Sequence, residues 1–311
     1  MVHPVFCGLS KQNVIKSSSC SSSGAARSSR FPKRTKQTSL PKCRTSIPGL
    51  EDRPLLLENQ DNTLCYLNSA LNILYMIKEV RKFFATEEIG ENSILKEIQK
   101  IFKREKNNSR SLAQELDMGD GAQSCHEVLK KIGEILPPLL QNSLSLTHQK
   151  LSCCKKCGES STLKKSIKAI EILLPEEGCL TLQELLSQDL KGTCPRCNYP
   201  MEIFHDYQVT EDTKTVFVSV LQADPMPIKN FDPDRIWNLF GARWVLKGAV
   251  IYLPDSSPDI DYGENGHSIS WTQHLGKWCK VSDQEMEVYD KFDASDADIE
   301  MMVFERVPRR N

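Results

Sequence analysis

Between residues 65 and 80 the apolar positions fall at Leu67, Leu71, Leu74, Ile77 and Val80. They lie three or four apart, the period of one face of an α-helix. The pattern predicts a helix that starts around Cys65 and runs into the low 80s. A second helix marks its start more sharply: Ser124 followed by Glu127 has the form of a capping box, and Val128, Leu129, Ile132 and Ile135 continue one apolar face. Thr181 with Glu184, ahead of Leu185 and Leu186, predicts a third helix by the same signature. Further along, the period changes. Residues 215–221 (TVFVSVL), 248–253 (GAVIYL), 267–271 (HSISW), 277–281 (KWCKV) and 299–305 (IEMMVFE) are rich in β-branched or aromatic side chains and bounded by Asp, Gly, Pro and Ser clusters, which predicts strands. Helices precede strands and no internal repeat is visible, so the pattern predicts an α+β fold rather than repeating βαβ units.

The N-terminal stretch is different. No acidic residue precedes Glu51, while Lys11, Lys16, Arg27, Arg30, Lys33, Arg34, Lys36, Lys42 and Arg44 all do, and residues 17–23 read SSSCSSS. With so few large apolar groups this arm cannot offset the entropy of ordering, and residues 1–48 are expected to be disordered. The folded domain is expected over 49–308. The run Pro32-Lys33-Arg34-Thr35-Lys36 has the composition of a nuclear address, and an acid-free Arg/Ser-rich N-terminus equally that of a mitochondrial one. A solvated tail with neither role fits as well.

Composition narrows the chemistry. The chain has 311 residues, 39% hydrophobic and 26% charged with a net charge of -1, enough for one large domain or two small ones. No apolar run is long enough to span a bilayer and no secretory signal core is present, so no membrane partner and a reducing compartment, nucleus or cytoplasm, are expected. Under those conditions twelve cysteines read as metal ligands, reactive thiols and core fillers, not as a disulfide framework.

Four of the cysteines form two Cys-x-x-Cys knuckles, Cys154/Cys157 and Cys194/Cys197. Each knuckle offers two thiolates from one tight turn, and four thiolates complete a closed tetrahedral site for one structural Zn²⁺, with no position left for a reactive water. Gly158, Gly192 and Pro195 fit the sharp turns such knuckles need. Cys153 is left out because only Cys154 has the two-residue spacing.

Cys65 lies at the predicted start of a helix, where partial positive charge and unpaired N–H groups favour a thiolate. That position suits a nucleophile and equally a small buried side chain. A nucleophilic thiol needs an imidazole to take its proton and a third group to orient the imidazole. Among six histidines, His267 follows Gly266 at the head of a strand, and a second strand returns after a turn at Gly276. A hairpin of this kind brings Ser282 and Asp283 beside His267. Without such a partner His267 would read as an ordinary strand-end histidine.

These segments together resemble the ubiquitin-specific protease family. Residues 59–75 (NQDNTLCYLNSALNILY) resemble its cysteine box, and residues 266–283 (GHSISWTQHLGKWCKVSD) its histidine box. Residues 121–129 (GAQSCHEVL) look like its Gly-Gln-Gln-Asp-Ala-His-Glu-Phe-Leu helix, and the two knuckles fall where its fingers carry zinc. The resemblance covers residues 50–308 and implies a papain-like core with thumb, palm and zinc-bearing fingers over about 150–215. It implies a cysteine-type ubiquitinyl hydrolase that cuts after the C-terminal Gly-Gly of ubiquitin or of a ubiquitinated protein. Carried over, Cys65 is the nucleophile and His267 the general base. Ser282 stands where the family usually has Asp or Asn, and Asp283 aligns with its second acid. Leu64 reads as an inserted residue. With it looped out the oxyanion donor is Asn59, whereas a strict count back gives Gln60, and the family's nearby glycine becomes Asp61. Gln123 and Glu127 read either as substrate contacts or as a solvated helix face. A SUMO-specific isopeptidase of the same fold and a ubiquitin-binding pseudoenzyme are the alternatives. A zinc-ribbon nucleic-acid binder is disfavoured, because the folded region shows no basic base-reading helix.

Overall fold

The computed structural model describes residues 53–60, 63–118, 124–173, 181–187, 190–221, 231–253, 266–293 and 298–308. The basic arm, Asp61, Gln123 and the segment 255–263 lie outside the described residues. In chain order the elements are α1 (Cys65–Met76), α2 (Lys78–Thr86), α3 (Ser93–Phe102), α4 (Arg110–Glu115), α5 (Cys125–Ile135) and α6 (Pro138–Ser143). There follow β1 (Leu146–Cys153), β2 (Ser160–Ile167), β3 (Ala169–Leu173), α7 (Leu182–Leu186), β4 (Leu190–Thr193) and β5 (Pro200–Gln208). The chain then continues through β6 (Thr215–Leu221), β7 (Ile236–Leu239), β8 (Ala242–Leu253), β9 (His267–His274), β10 (Lys277–Ser282), β11 (Glu285–Tyr289) and β12 (Asp298–Arg306). The class is α+β: among the described residues six helices come first, and two sheets follow with one further short helix between their strands.

The larger sheet runs β11-β10-β9-β8-β12-β6-β3, with β7 also on β8. Its central strands are buried on both faces while β11 is exposed throughout, and the alternation along the central strands shows which residues go where. On β12, Met301 and Val303 join the helices in one apolar cluster, while Met302 and Phe304 join Trp237, Trp244, Trp271 and Trp278 in the other. Helix α1 lies in the first cluster and is buried from Cys65 to Tyr75. A helix so enclosed cannot continue into the charged run Lys78, Glu79, Arg81, Lys82 without burying it. The chain breaks instead at Ile77, whose ψ of 113° ends α1 and starts α2 in a new direction. The single helix expected into the low 80s is therefore two.

The smaller sheet, β2-β1-β5-β4, has almost no apolar core of its own. Its cluster consists of Cys154, Cys194 and Met201 with Cys157 and Cys197 against them, and β2 is exposed almost throughout. The strands expected in the second half are present, several of them longer than their apolar stretches. Thr181 and Glu184 form the expected capping box. At α5 the arrangement differs: Ser124 Oγ accepts from the His126 N–H at 3.1 Å, and the carboxylate at the helix start comes from Glu300 rather than Glu127, which is exposed. Among the described residues no helix is long and apolar enough to cross a membrane.

Candidate functional site

Cys65 is the first residue of α1, and burial in the core of the helix leaves it 7% exposed. Its sulfur faces the backbone N–H of Ser268, so α1 is seated against the head of β9, one residue past His267. Ser69 Oγ, one turn along α1, donates to the Ser268 carbonyl at 3.1 Å and fixes the same contact. Burial pushes the thiol above its ordinary value of 9.0, and the Asp283 charge pushes it the same way. The N–H groups of Ser268, Tyr66 and Cys65 itself pull against both. The resting group is thus a thiol that needs a base.

A histidine stands at the head of the hairpin β9–β10, one residue before Ser268. Leu275 and Gly276, with φ of 48° and 77°, make its two-residue turn, and the register pairs Val281 with Ser270. Past the end of that ladder, His267 Nε2 reaches diagonally to Ser282 Oγ at 2.8 Å. The other ring nitrogen, Nδ1, takes no part in that contact. Gly266 precedes the histidine because nothing larger fits: a Cβ there would stand 1.8 Å from the Tyr252 ring. Asp283, by contrast, is 4.0 Å from the imidazole. Its carboxylate is occupied by two amides, Asn59 Nδ2 at 3.0 Å and Asn68 Nδ2 at 2.8 Å, and its backbone carbonyl accepts from Leu57 N at 3.1 Å.

Asn59 is thereby held beside Cys65. Its Oδ1 accepts from the Leu64 N–H at 3.0 Å, and its Nδ2 keeps a second hydrogen beyond the one given to Asp283. Gln60 turns away, exposed, toward Glu58 at 3.3 Å. Leu64 does not loop out: it is the N-cap position of α1, buried in the core, because an apolar side chain at a helix start gains more from that cluster than from solvent. Six of the residues singled out from sequence thus divide. Cys65, His267, Ser282, Asp283 and Asn59 come together and Gln60 does not.

Three contributors escaped the sequence reading. Asn68 carries Asp283 and accepts from Ser109 Oγ at 2.6 Å. Asn72 clamps Leu55 by both its backbone groups, at 2.8 Å and 3.1 Å, which fixes the segment leading to Asn59. Ser268 presents its N–H to the thiol. The signal was available in α1: Asn68, Ser69 and Asn72 are polar residues in an otherwise apolar helix, and buried polar side chains require partners.

The four-cysteine site is built by repetition. In each knuckle the first cysteine's N–H donates to the carbonyl five residues on, Glu159 or Tyr199, and its carbonyl accepts from the fourth residue on, Gly158 or Asn198. Those fourth residues carry the left-handed backbone, with φ of 72° at Gly158 and 53° at Asn198. Gly192, expected to serve a turn, lies instead within β4, where a Cβ would meet Ile203 Cδ1 at 2.7 Å. The four sulfurs lie within 4.8 Å of one another, with Cys154–Cys197 and Cys157–Cys194 both at 3.6 Å. None of the four is in a disulfide, Cys153 is exposed outside the group, and the four together could hold a metal ion.

No protein-family model matches this chain, and a search of curated proteins finds no match.

Proposed function

We propose that this chain is a thiol-dependent isopeptidase of the ubiquitin-specific protease type, papain-like in its pairing of a cysteine helix with a histidine sheet. It would cut after the C-terminal Gly-Gly of ubiquitin. One observation carries the reading: Ser69 Oγ donates to the Ser268 carbonyl and so seats the start of α1 against the head of β9, where the preceding residue, His267, is oriented through Nε2 by Ser282. The resemblance of the sequence to that family's boxes supports it.

In this mechanism a modifier tail enters the cleft and Cys65 Sγ attacks the terminal glycine carbonyl as its proton passes to His267 Nδ1. The developing oxyanion is met by the free hydrogen of Asn59 Nδ2 and by N–H groups at the start of α1. Collapse expels the lysine amine, which takes the proton back from the imidazolium. A water, deprotonated by His267, then adds to the thioester, and release of the glycine carboxylate regenerates the thiol. Asp283 acts on Asn59, while Ser282 orients the imidazole without a formal charge.

The four cysteines suit Zn²⁺. A tetrahedron with Zn–S bonds of about 2.3 Å has an S···S edge of about 3.8 Å, close to the 3.6 Å of the two close pairs. Cys154, Cys157, Cys194 and Cys197 would hold it, and the ion would supply cross-linking only, since no ligand position stays open.

The test is labelling with ubiquitin and SUMO carrying C-terminal electrophiles, using Cys65→Ser as control. Adduct formation with ubiquitin alone supports the proposal, while adduct with SUMO alone changes the modifier. A second reading, a modifier-binding module without turnover, is favoured by the burial of the thiol and by the neutral Ser282. Binding of ubiquitin with no labelling would select it.

A further inference from the structure

Glu300 is a carboxylate that the mechanism above leaves unused, and the fold goes out of its way to aim it. In β12 the pairing with β8 slips between Ile299 and Met301: Ile299 opposes Ile251 and Met301 opposes Val250, so Glu300 is the extra residue of a β-bulge. Without the bulge Glu300 would alternate onto the face of Met302 and Phe304, inside the aromatic cluster. With it, Ile299 packs on that cluster, and Glu300 turns to the helical face together with Met301. Bulges beside functional sites re-aim side chains in this way.

The turned carboxylate meets the start of α5. Its Oε1 accepts from Cys125 N at 2.7 Å and from Ser124 Oγ at 3.0 Å. The His126 N–H and Ser268 Oγ also donate to it. Ser268 is the residue whose N–H faces Cys65 Sγ and whose carbonyl accepts from Ser69 Oγ. All three polar groups of this buried serine are thus committed, one each to the thiol, to α1 and to Glu300.

We infer that Glu300 is a positioning residue: through Ser268 Oγ it fixes the N–H that faces the Cys65 sulfur, tying α5 and β12 to the nucleophile. The inference deepens the isopeptidase reading and rests on it for the word nucleophile. The titratable group facing the thiol is Asp283, after β10, and His267 precedes Ser268 on β9. The titratable groups facing Glu300 are Cys125 and His126 on α5, the latter bridged to Glu171 on β3 at 3.0 Å.

The experiment uses the full chain, with Glu300→Gln, Ser268→Ala and the double variant. Alkylation of Cys65 by iodoacetamide is followed against pH by mass spectrometry of its peptide, so that the other thiols do not interfere. An N–H bond to sulfur favours the thiolate, so loosening it should raise the alkylation midpoint by about one pH unit, the scale of one charge-assisted hydrogen bond. Both single variants should show the shift, and the double variant should show no more than either, because the two side chains act through one link. On ubiquitin substrate, kcat should fall about tenfold with KM unchanged. If the alkylation profiles of the variants overlay the parent's, Glu300 is a structural cap and the inference fails, whatever happens to Tm. Should Glu300→Gln not fold, Ser268→Ala decides by the same reading. Alkylation needs no ubiquitin, so a shifted midpoint with no turnover of any modifier sinks the isopeptidase reading and leaves Glu300 in its place.

Discussion

The Cys65 cluster and the four-cysteine cluster are made of the same side chain and held by opposite means. Cys65 is placed by residues from Leu55 to Asp283, brought together because α1 is buried in the larger apolar cluster against the sheet. The knuckles are placed by turns that close within five residues, and the apolar cluster around them consists of the cysteines and Met201. A thiol in the first setting is positioned by burial and rises in pKa, while the four thiols in the second are close enough together to hold a metal ion in place of a core. The comparison teaches that burial can serve a reactive sulfur and a metal can substitute for a core.

Metal removal should expose the contrast most strongly. Structural Zn²⁺ contributes on the order of 10–16 kcal/mol in small domains. Chelation, or Cys194→Ser, should therefore abolish hydrogen-exchange protection over 147–153 and 200–208 while leaving α1 and β9 protected. Metal analysis should give one ion per chain before treatment and none after. Equal loss of protection in both regions would erase the distinction.

The next largest effect is on chemistry alone. Cys65→Ala should reduce ubiquitin hydrolysis by on the order of 10⁴-fold or more, with metal content intact and Tm nearly unchanged. Leu71→Ala works from the other side. Leu71 is fully buried in the α1 cluster, so its truncation should cost about 2–5 kcal/mol in denaturant unfolding, with no change in metal affinity.

The smallest effects separate the two residues after β10. Asp283 holds both Asn59 and Asn68, so Asp283→Ala should lower kcat by on the order of 10²-fold, approaching the loss of an oxyanion donor. Ser282 makes one neutral contact to the imidazole, and Ser282→Ala should cost about tenfold or less. A larger loss from Ser282 than from Asp283 would show the serine to be the main support. Burial and Asp283 both raise the thiol pKa, so activity should climb as pH rises toward that value. Asp283→Ala should move the rise to lower pH, since removing the negative charge lowers the thiol pKa.

How much of this was legible along the chain follows the same division. Cys154, Cys157, Cys194 and Cys197 were legible from spacing, because each knuckle is a local object. His267 and Ser282 were legible because a hairpin converts sequence separation into register. Cys65 stood out by its helix-start position. The break at Ile77 was not legible: the apolar period continues through it, and only the enclosure of α1 from all sides excludes the charged run that follows. Glu300 was hidden for a related reason, since strand alternation assigns it to the wrong face and a single bulge reverses the assignment. Asn198 was missed because glycine drew attention to Gly158, although asparagine adopts the same left-handed backbone.

The knuckles have a topological consequence. Cys154 and Cys197 stand 43 positions apart, so an ion between them closes a long loop much as a disulfide would. By chain-entropy reckoning, such a closure restricts the unfolded chain by about 4 kcal/mol. Unlike a covalent bridge, such an ion would be released by mass action, and the shape of that whole excursion would then follow the free concentration of the cation.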